Sequence, residues 1–374
     1  MRIGLIGCGN IGVRAHLPAI TATEGVELVA VADPTPERLA VAGEEAGLGD
    51  DRRHADWRDL LARDDVDAVT IATPQRFRTE IALAAAAGGR HLLLEKPLAL
   101  APAEAQRIAD AAAWAGVVAA TNHNYVWMPV YAELHAVGTG GEIGRVECAV
   151  LNFMGVEDRP GAAAYVPGWR HATAEAGGGV LMDMLHAVYL ADWFLGGEPT
   201  AVTAKVDKRL GGEGDVEDLA LVRLDYPNGT AMINMAWGKG PGGIELTGTD
   251  GRAMSFNQGY GTHPFVPAER IVVVGTGGER EFAPAEPPAY GFAAVYADFR
   301  DAVREGRPPF AGAADGVRVL EAVVGAYASG ALGQTVPLPL DRPGPVWQRG
   351  AAGIAALALP DDSPVRRLGL YGVG

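Results

Sequence analysis

The chain has 374 residues, 48% of them hydrophobic, and a formal net charge of −15. That length suits two domains better than one core, and the composition predicts a globular, soluble protein. The acidic balance, with no basic tract, excludes a nucleic-acid backbone as partner, and the most apolar stretch, from Val180 to Leu195, is broken by Asp183, His186 and Asp192 and predicts no membrane span.

The first apolar run, 3–6, feeds directly into Gly7-Cys8-Gly9-Asn10-Ile11-Gly12, a G-x-G-x-x-G loop followed by a helix-like stretch. The three glycines serve a tight turn, close backbone approach to a pyrophosphate, and close packing of the next helix on the strand. A second run, 28–32, ends in Asp33, a carboxylate placed where a dinucleotide-binding unit holds a ribose diol. Gly7, Gly9, Asn10, Ile11, Gly12 and Asp33 are therefore candidate cofactor-binding residues. Asp33 would repel a 2′-phosphate, which favours NAD; Arg38, nearby in sequence, keeps NADP possible. The first strand begins at residue 2, which leaves no room for a signal peptide and places the protein in the cytoplasm.

Further apolar runs at 68–72, 91–94 and 117–120 alternate with Ala-rich segments of helical period at 36–46, 79–88 and 102–115. The alternation predicts a parallel sheet covered by helices on both faces, a Rossmann domain over residues 1–122. Lys96 ends the run 91–94 and precedes Pro97, at the carboxyl edge of the fourth predicted strand, where ligands of doubly wound sheets collect. Read by itself, it is a lysine solvated beside a turn before it is a ligand-binding group. The stretch Asn122 to Pro129 is either a linker packed on the domain junction or, through groups such as Asn124 and Tyr125, a site for sugar hydroxyls and a ring face.

From about 145 the pattern changes. Runs at 145–153, 200–207, 217–226, 229–237, 243–248 and 270–274 read as neighbouring antiparallel strands, with Asn228-Gly229 a hairpin signal. A mostly antiparallel α+β domain is therefore predicted over 123–340, closing with helix-like stretches at 289–304 and 314–331. The remainder, 341–374, is a C-terminal tail without clear period that wraps the body or extends to a partner subunit.

Within the second domain, Trp169 and Arg170 precede the flexible Gly177-Gly178-Gly179, and Asp183 and His186 follow it. Arg170 either binds a carboxylate or hydroxyl or ties down its loop. Asp183 and His186, at i and i+3 of a segment that reads as one helix, share a face and can point into one cleft. An imidazole, with an unperturbed pKa near 6.5, suits proton exchange with a substrate hydroxyl as hydride moves. His186 is the candidate general acid/base, and Asp183 its orienter or a hydroxyl-binding group; a core histidine with a capping Asp is the alternative. Cys8 and Cys148, and His123, His135 and His171, have no ligand-like grouping, so no catalytic metal is inferred.

Taken together, several motifs resemble the glucose–fructose oxidoreductase, inositol dehydrogenase and MocA family over roughly residues 2 to 340. They are the glycine loop, Ala72-Thr73-Pro74, Glu95-Lys96-Pro97, Gly144-Arg145-Val146, Gly168-Trp169-Arg170, the triple glycine with Asp183 and His186, and the run Asp298 to Pro309. The resemblance implies NAD(P)-dependent oxidation or reduction of sugars, cyclitols and related polyols, with a C-terminal sheet that often builds homodimers or homotetramers. It adds Thr73, Pro74 and Glu95 to the cofactor-binding residues, and implies that the Lys96 ammonium sits between nicotinamide and substrate. Lys96, Asp183 and His186 are then the catalytic set, and Lys96, Asn124, Tyr125, Trp169, Arg170, Asp183 and His186 the substrate-binding one.

Four positions depart from the family pattern. Two residues rather than three separate Asp183 from His186, Tyr189 stands where a second carboxylate is frequent, Arg78 replaces a histidine, and Val126 an arginine. The Arg78 and Val126 changes bear on substrate. His16, in a His-x-Pro variant, is expected to have a structural or domain-contact role. Two other readings use the same residues: an NAD-dependent glycosidase that oxidises transiently and eliminates, and a cofactor-binding regulator without chemistry. Net reduction of free NAD separates the first of these from a dehydrogenase.

Overall fold

A computed structural model describes residues 1–156, 169–209, 214–238, 242–256 and 270–373, and Gly168 of the Gly-Trp-Arg motif lies outside them. Two units emerge. The first comprises Met1–Ala99, Glu104–Trp127 and Pro288–Arg318, and the second Leu100–Ala103, Met128–Pro287 and Val319–Gly374.

In the first unit, strands β1 (Arg2–Ile6), β2 (Glu27–Ala32), β3 (Arg53–His54), β4 (Ala68–Ile71), β5 (His91–Leu94) and β6 (Ala119–Thr121) form a sheet of order β3-β2-β1-β4-β5-β6. Each neighbouring pair is parallel. The order reverses between β1 and β4, which is where such folds bind dinucleotides. The central strands are continuous apolar runs because the sheet is covered: Ile3, Leu5, Val69, Ile71, Leu92 and Leu93 are fully buried. β3 went unread in the sequence because it is two polar residues at the sheet edge.

The expected division after 122, with everything to 340 in the second domain, differs from the observed units. The helix Gly291–Glu305 belongs to the first unit, where Val295, Tyr296 and Phe299 form one core cluster with Ile3, Ile20, Ala68 and Leu93. Its apolar face is amphipathic and has to be buried somewhere; periodicity locates the face but not its partner.

In the second unit, β7 (Val146–Val156), β8 (Ala201–Asp207), β9 (Leu219–Tyr226), β10 (Gly229–Trp237), β11 (Gly242–Gly248), β12 (Arg252–Phe256), β13 (Arg270–Gly275), β14 (Gly278–Phe282) and β15 (Val336–Pro337) form one sheet of order β14-β13-β12-β11-β7-β10-β9-β8-β15. It is antiparallel except for the central pair β7 and β10, which run parallel. The hairpin signal is real: Tyr226 pairs with Gly229 across Pro227-Asn228. β14 had no apolar signal because it is an exposed edge strand of sequence GEREF.

Alternate residues of β9 and β10, such as Val222, Leu224, Ile233 and Met235, are buried, and the helix His186–Leu195 packs on β7 and β10. The 341–374 segment contributes the short helices Pro345–Arg349 and Pro364–Leu368 to the same unit, the latter against β8. Among the described residues, no helix is long and apolar enough to cross a membrane. None of their His, Cys, Asp and Glu side chains group to hold a metal ion.

Candidate active site

The glycine loop is built as its spacing implies. Gly7 has φ +102°, and a Cβ there would sit 2.8 Å from the Ala72 carbonyl carbon and 2.9 Å from the Thr73 nitrogen, so only glycine lets β1 pass this close to the end of β4. A Cβ at Gly12 would run into the Gly7 carbonyl oxygen, whereas one at Gly9 would meet nothing within 4 Å. Gly9 is thus bare for a reason other than protein packing, as a backbone approached by a pyrophosphate would be. Asn10 and Ile11 lie between them, and the chain then makes one π-helical turn, Gly12–His16, before the helix Leu17–Ala22.

Asp33 is nine-tenths or more buried at the end of β2. Its Oδ2 accepts the Cys8 N–H at 2.8 Å and its Oδ1 the Thr35 N–H at 2.8 Å, which fixes the carboxylate beside the glycine loop. Each oxygen keeps a lone pair for a ribose hydroxyl. At the ends of β4 and β6, Thr73 Oγ1, Gln75 Oε1 and Asn122 Oδ1 are buried with no hydrogen-bond partner among the described residues. A bare glycine, a fixed carboxylate and orphaned polar atoms along one sheet edge fit a dinucleotide. Pro74 caps the helix Gln75–Ala87 that follows Thr73.

Lys96 leaves the end of β5 on a firmly held backbone. The Glu95 carboxylate accepts His16 Nε2 at 3.0 Å and Asn122 Nδ2 at 2.6 Å on Oε1, and the Lys96 backbone N–H at 3.0 Å on Oε2. His16 Nδ1 meets the Tyr296 hydroxyl at 2.9 Å, and that hydroxyl meets Thr70 Oγ1 at 2.8 Å. His16 therefore has the structural role expected of it, inside the first unit. Burial raises the Glu95 carboxyl, but the His16 hydrogen bond and the charges of His16, Lys96 and Arg78 outweigh it and hold the group at about 2.

A carboxylate lowered on folding contributes stability that is complete above its ordinary value of 4.5 and is lost as the pH falls toward 2. Glu95→Gln should accordingly lower the thermal midpoint most at pH 7, and the gap to wild type should close as the pH falls through that window. A gap independent of pH in calorimetry would contradict the ionised pairing.

Arg78, expected to bear on substrate, does something else. It is buried, and its guanidinium donates to the carbonyls of Glu95 at 2.8 Å, of Pro97 and of Thr73, tying the loop after β4 to the loop after β5. Burial lowers it to about 10, so it stays charged at neutral pH. Arg78→Met keeps the length and removes a donor from three carbonyls, two of them on buried residues; a loss of about 3 kcal/mol is expected, at about 1 kcal/mol or more per orphaned group. Urea unfolding within 1 kcal/mol of wild type would rule the clamp out.

Asn124 and Tyr125 lie in the turn Asn124–Trp127 after β6 and are both buried. Trp127 packs edge-on against Phe310, with ring centroids 5.1 Å apart.

In the second unit, Trp169 and Arg170 open a turn, Trp169–His171, with the guanidinium 5.5 Å from the centre of the Trp169 ring. Arg170 Nη1 lies 3.5 Å from Asp183 Oδ1. The expectation of one helix through Asp183 and His186 needs correction. Asp183 ends the helix Val180–Asp183 and His186 begins the helix His186–Leu195, with Met184 and Leu185 between them. The shortened spacing thus coincides with a change of helix.

The imidazole's Nδ1 has a partner within its own helix. That atom meets the Tyr189 hydroxyl at 2.6 Å, with the two rings edge to face at 5.5 Å. Tyr189 was legible only as a departure from the family pattern, yet its position three residues into the same helix is the signal that it can reach back to His186.

Residues 1–123 match the oxidoreductase family with NAD-binding Rossmann fold, and residues 131–254 the GFO/IDH/MocA C-terminal domain. The chain is 30% identical to 1,5-anhydro-D-fructose reductase of Ensifer adhaerens over 90% of its own length and 98% of the relative's. It is 28% identical to myo-inositol 2-dehydrogenase of Thermotoga maritima over 62% of its own length and 67% of the relative's. The solved aldose–aldose oxidoreductase of Caulobacter crescentus, complexed with glycerol, is 25% identical, with a TM-score of 0.80 over 90% of this chain and 99% of that one.

Proposed function

The chain belongs to the GFO/IDH/MocA oxidoreductase family, and from that premise we propose that it passes hydride between NAD and a secondary alcohol or ketone on a sugar, glycoside or cyclitol ring. When bound, NAD supplies or accepts that hydride. The observation that carries the proposal is Lys96 at the carboxyl end of β5, its backbone held by the buried Glu95, on the sheet edge that also bears the glycine loop and Asp33. There its ammonium stabilises negative charge developing on the reacting oxygen. His186, its ring plane set by Tyr189, takes the substrate proton in oxidation and returns it in reduction.

Asp183, Arg170 and Trp169 are assigned to substrate hydroxyls and the ring face, with Asn124 and Tyr125 as further candidates. Thr73 and Pro74, at the end of β4, and Asp33, which repels a 2′-phosphate, are assigned to NAD. The anhydro-ketose and inositol in the names of the relatives support a cyclic polyol as substrate. Assembly into a homodimer or homotetramer is assigned to the open side of the second sheet, where Leu221 and Met232 are exposed. A cytoplasmic location completes the reading.

The test is a screen of NAD and NADP reduction across monosaccharides, sugar acids, glycosides and inositols. Net NADH formation with one class is expected. Product release from a glycoside with no net NADH would replace the proposal with the redox-neutral elimination, and inertness toward every class would overturn both.

A further inference from the structure

The segment that carries Asp183 is held by a buried carboxylate that the reaction itself does not use. Glu217 is fully buried just before β9, and four donors converge on it. Oε1 accepts the Leu181 N–H at 2.9 Å and the Tyr327 hydroxyl at 3.0 Å; Oε2 accepts the Gly179 N–H at 2.9 Å and the Tyr371 hydroxyl at 3.0 Å. The Glu217 carbonyl also accepts the Val180 N–H at 3.1 Å, so three successive amides end on this one residue. Two of the three glycines follow from it, since a Cβ on Gly179 would meet the Glu217 carbonyl oxygen and one on Gly178 the Tyr327 hydroxyl. The Asp183 N–H bonds in turn to the Gly179 carbonyl at 2.9 Å and the Met184 N–H to the Val180 carbonyl at 2.8 Å, so the place of Asp183, and of the turn that leads into His186, follows from that of Gly179 and Val180.

Tyr371 comes from the 341–374 segment, whose role the sequence leaves open. Among the described residues it is the one non-glycine at positive φ, 56°, a conformation that persists only where surroundings impose it. Its N–H donates to the Asp215 carbonyl at 2.7 Å, and Asp215 Oδ1 accepts the Thr173 N–H at 2.8 Å, next to the turn that bears Trp169 and Arg170. Its ring lies 4.7 Å from that of Tyr327. A buried carboxylate is a costly way to hold a loop, and an apolar contact of similar volume commonly serves stability as well. Burial raises the Glu217 carboxyl to about 7 against the bonds from Leu181 and Gly179, which records that cost.

We propose that Glu217, Tyr327 and Tyr371 are positioning residues that set Asp183 and His186 for proton transfer, with Tyr371 making the 341–374 segment part of the working site. This rests on the assignment of His186 given above. Tyr371→Phe keeps the ring and removes one donor from Glu217. It should lower kcat about tenfold and the thermal midpoint by a few degrees while leaving the NADH dissociation constant unchanged, and it should add nothing to the kcat loss already caused by His186→Asn. Rates are taken per NADH-binding site, so partial unfolding does not imitate the effect, and Tyr327→Phe, which removes the donor on the other oxygen, should behave alike. Full kcat in both phenylalanine variants, or losses that multiply with that of H186N, overturns the proposal while the His186 assignment stands; full activity of H186N overturns the assignment itself.

Discussion

Lys96→Met should lower kcat by about 10³-fold while the NADH dissociation constant stays within about threefold of wild type. The reasoning separates binding from chemistry. Dinucleotide affinity is assigned to the glycine loop and the Asp33 carboxylate, which the substitution does not touch. Met keeps the unbranched stem, and Glu95 retains its hydrogen bonds from His16 and Asn122, so the loop after β5 keeps its support. What disappears is the positive charge that the proposed mechanism places beside the reacting oxygen. A stabilising group that acts on charge developing in the transition state affects kcat and kcat/KM together, whereas a group that merely binds substrate raises KM. Steady-state kinetics with NADH fluorescence titration decide it, and a K96M enzyme with near-normal kcat would remove Lys96 from the chemistry.

His186→Asn is expected to cost about 10²- to 10⁴-fold in kcat, the range for loss of a positioned general acid/base. Asn retains a polar group within reach of the Tyr189 hydroxyl, so packing against that ring changes little. It cannot exchange a proton near neutral pH, and the pH dependence of kcat should flatten. Tyr189→Phe should lie between the two, because it leaves the imidazole able to titrate but removes its 2.6 Å partner. An H186N enzyme that keeps both its rate and its pH profile would assign the proton transfer elsewhere.

How far the site could be read beforehand depended on the range of its contacts. The glycine loop, Asp33 and Lys96 were legible because each is announced by its own strand and turn: a positive φ demands glycine, and an apolar run names the edge where it ends. Asp183 and His186 read as one helix in sequence, since Met184 and Leu185 carry no breaker, and only the structure separates them into two. Arg78 illustrates the limit from the other side. A charged residue beside a ligand edge suggests a ligand, and only its three carbonyl partners reveal a clamp.

The sequence by itself determined the dinucleotide unit, the antiparallel character of the second sheet and the catalytic candidates, because strand period, turn chemistry and the spacing of glycines are local and need no partner to be recognised. Tertiary structure alone decided what holds those residues in place. His16 meets Tyr296 across 280 positions, and Glu217 meets Tyr371 across 154. A hydrogen bond between buried groups so far apart leaves no periodic trace in either segment; it exists because folding excludes water from both, and each polar group must then find the other.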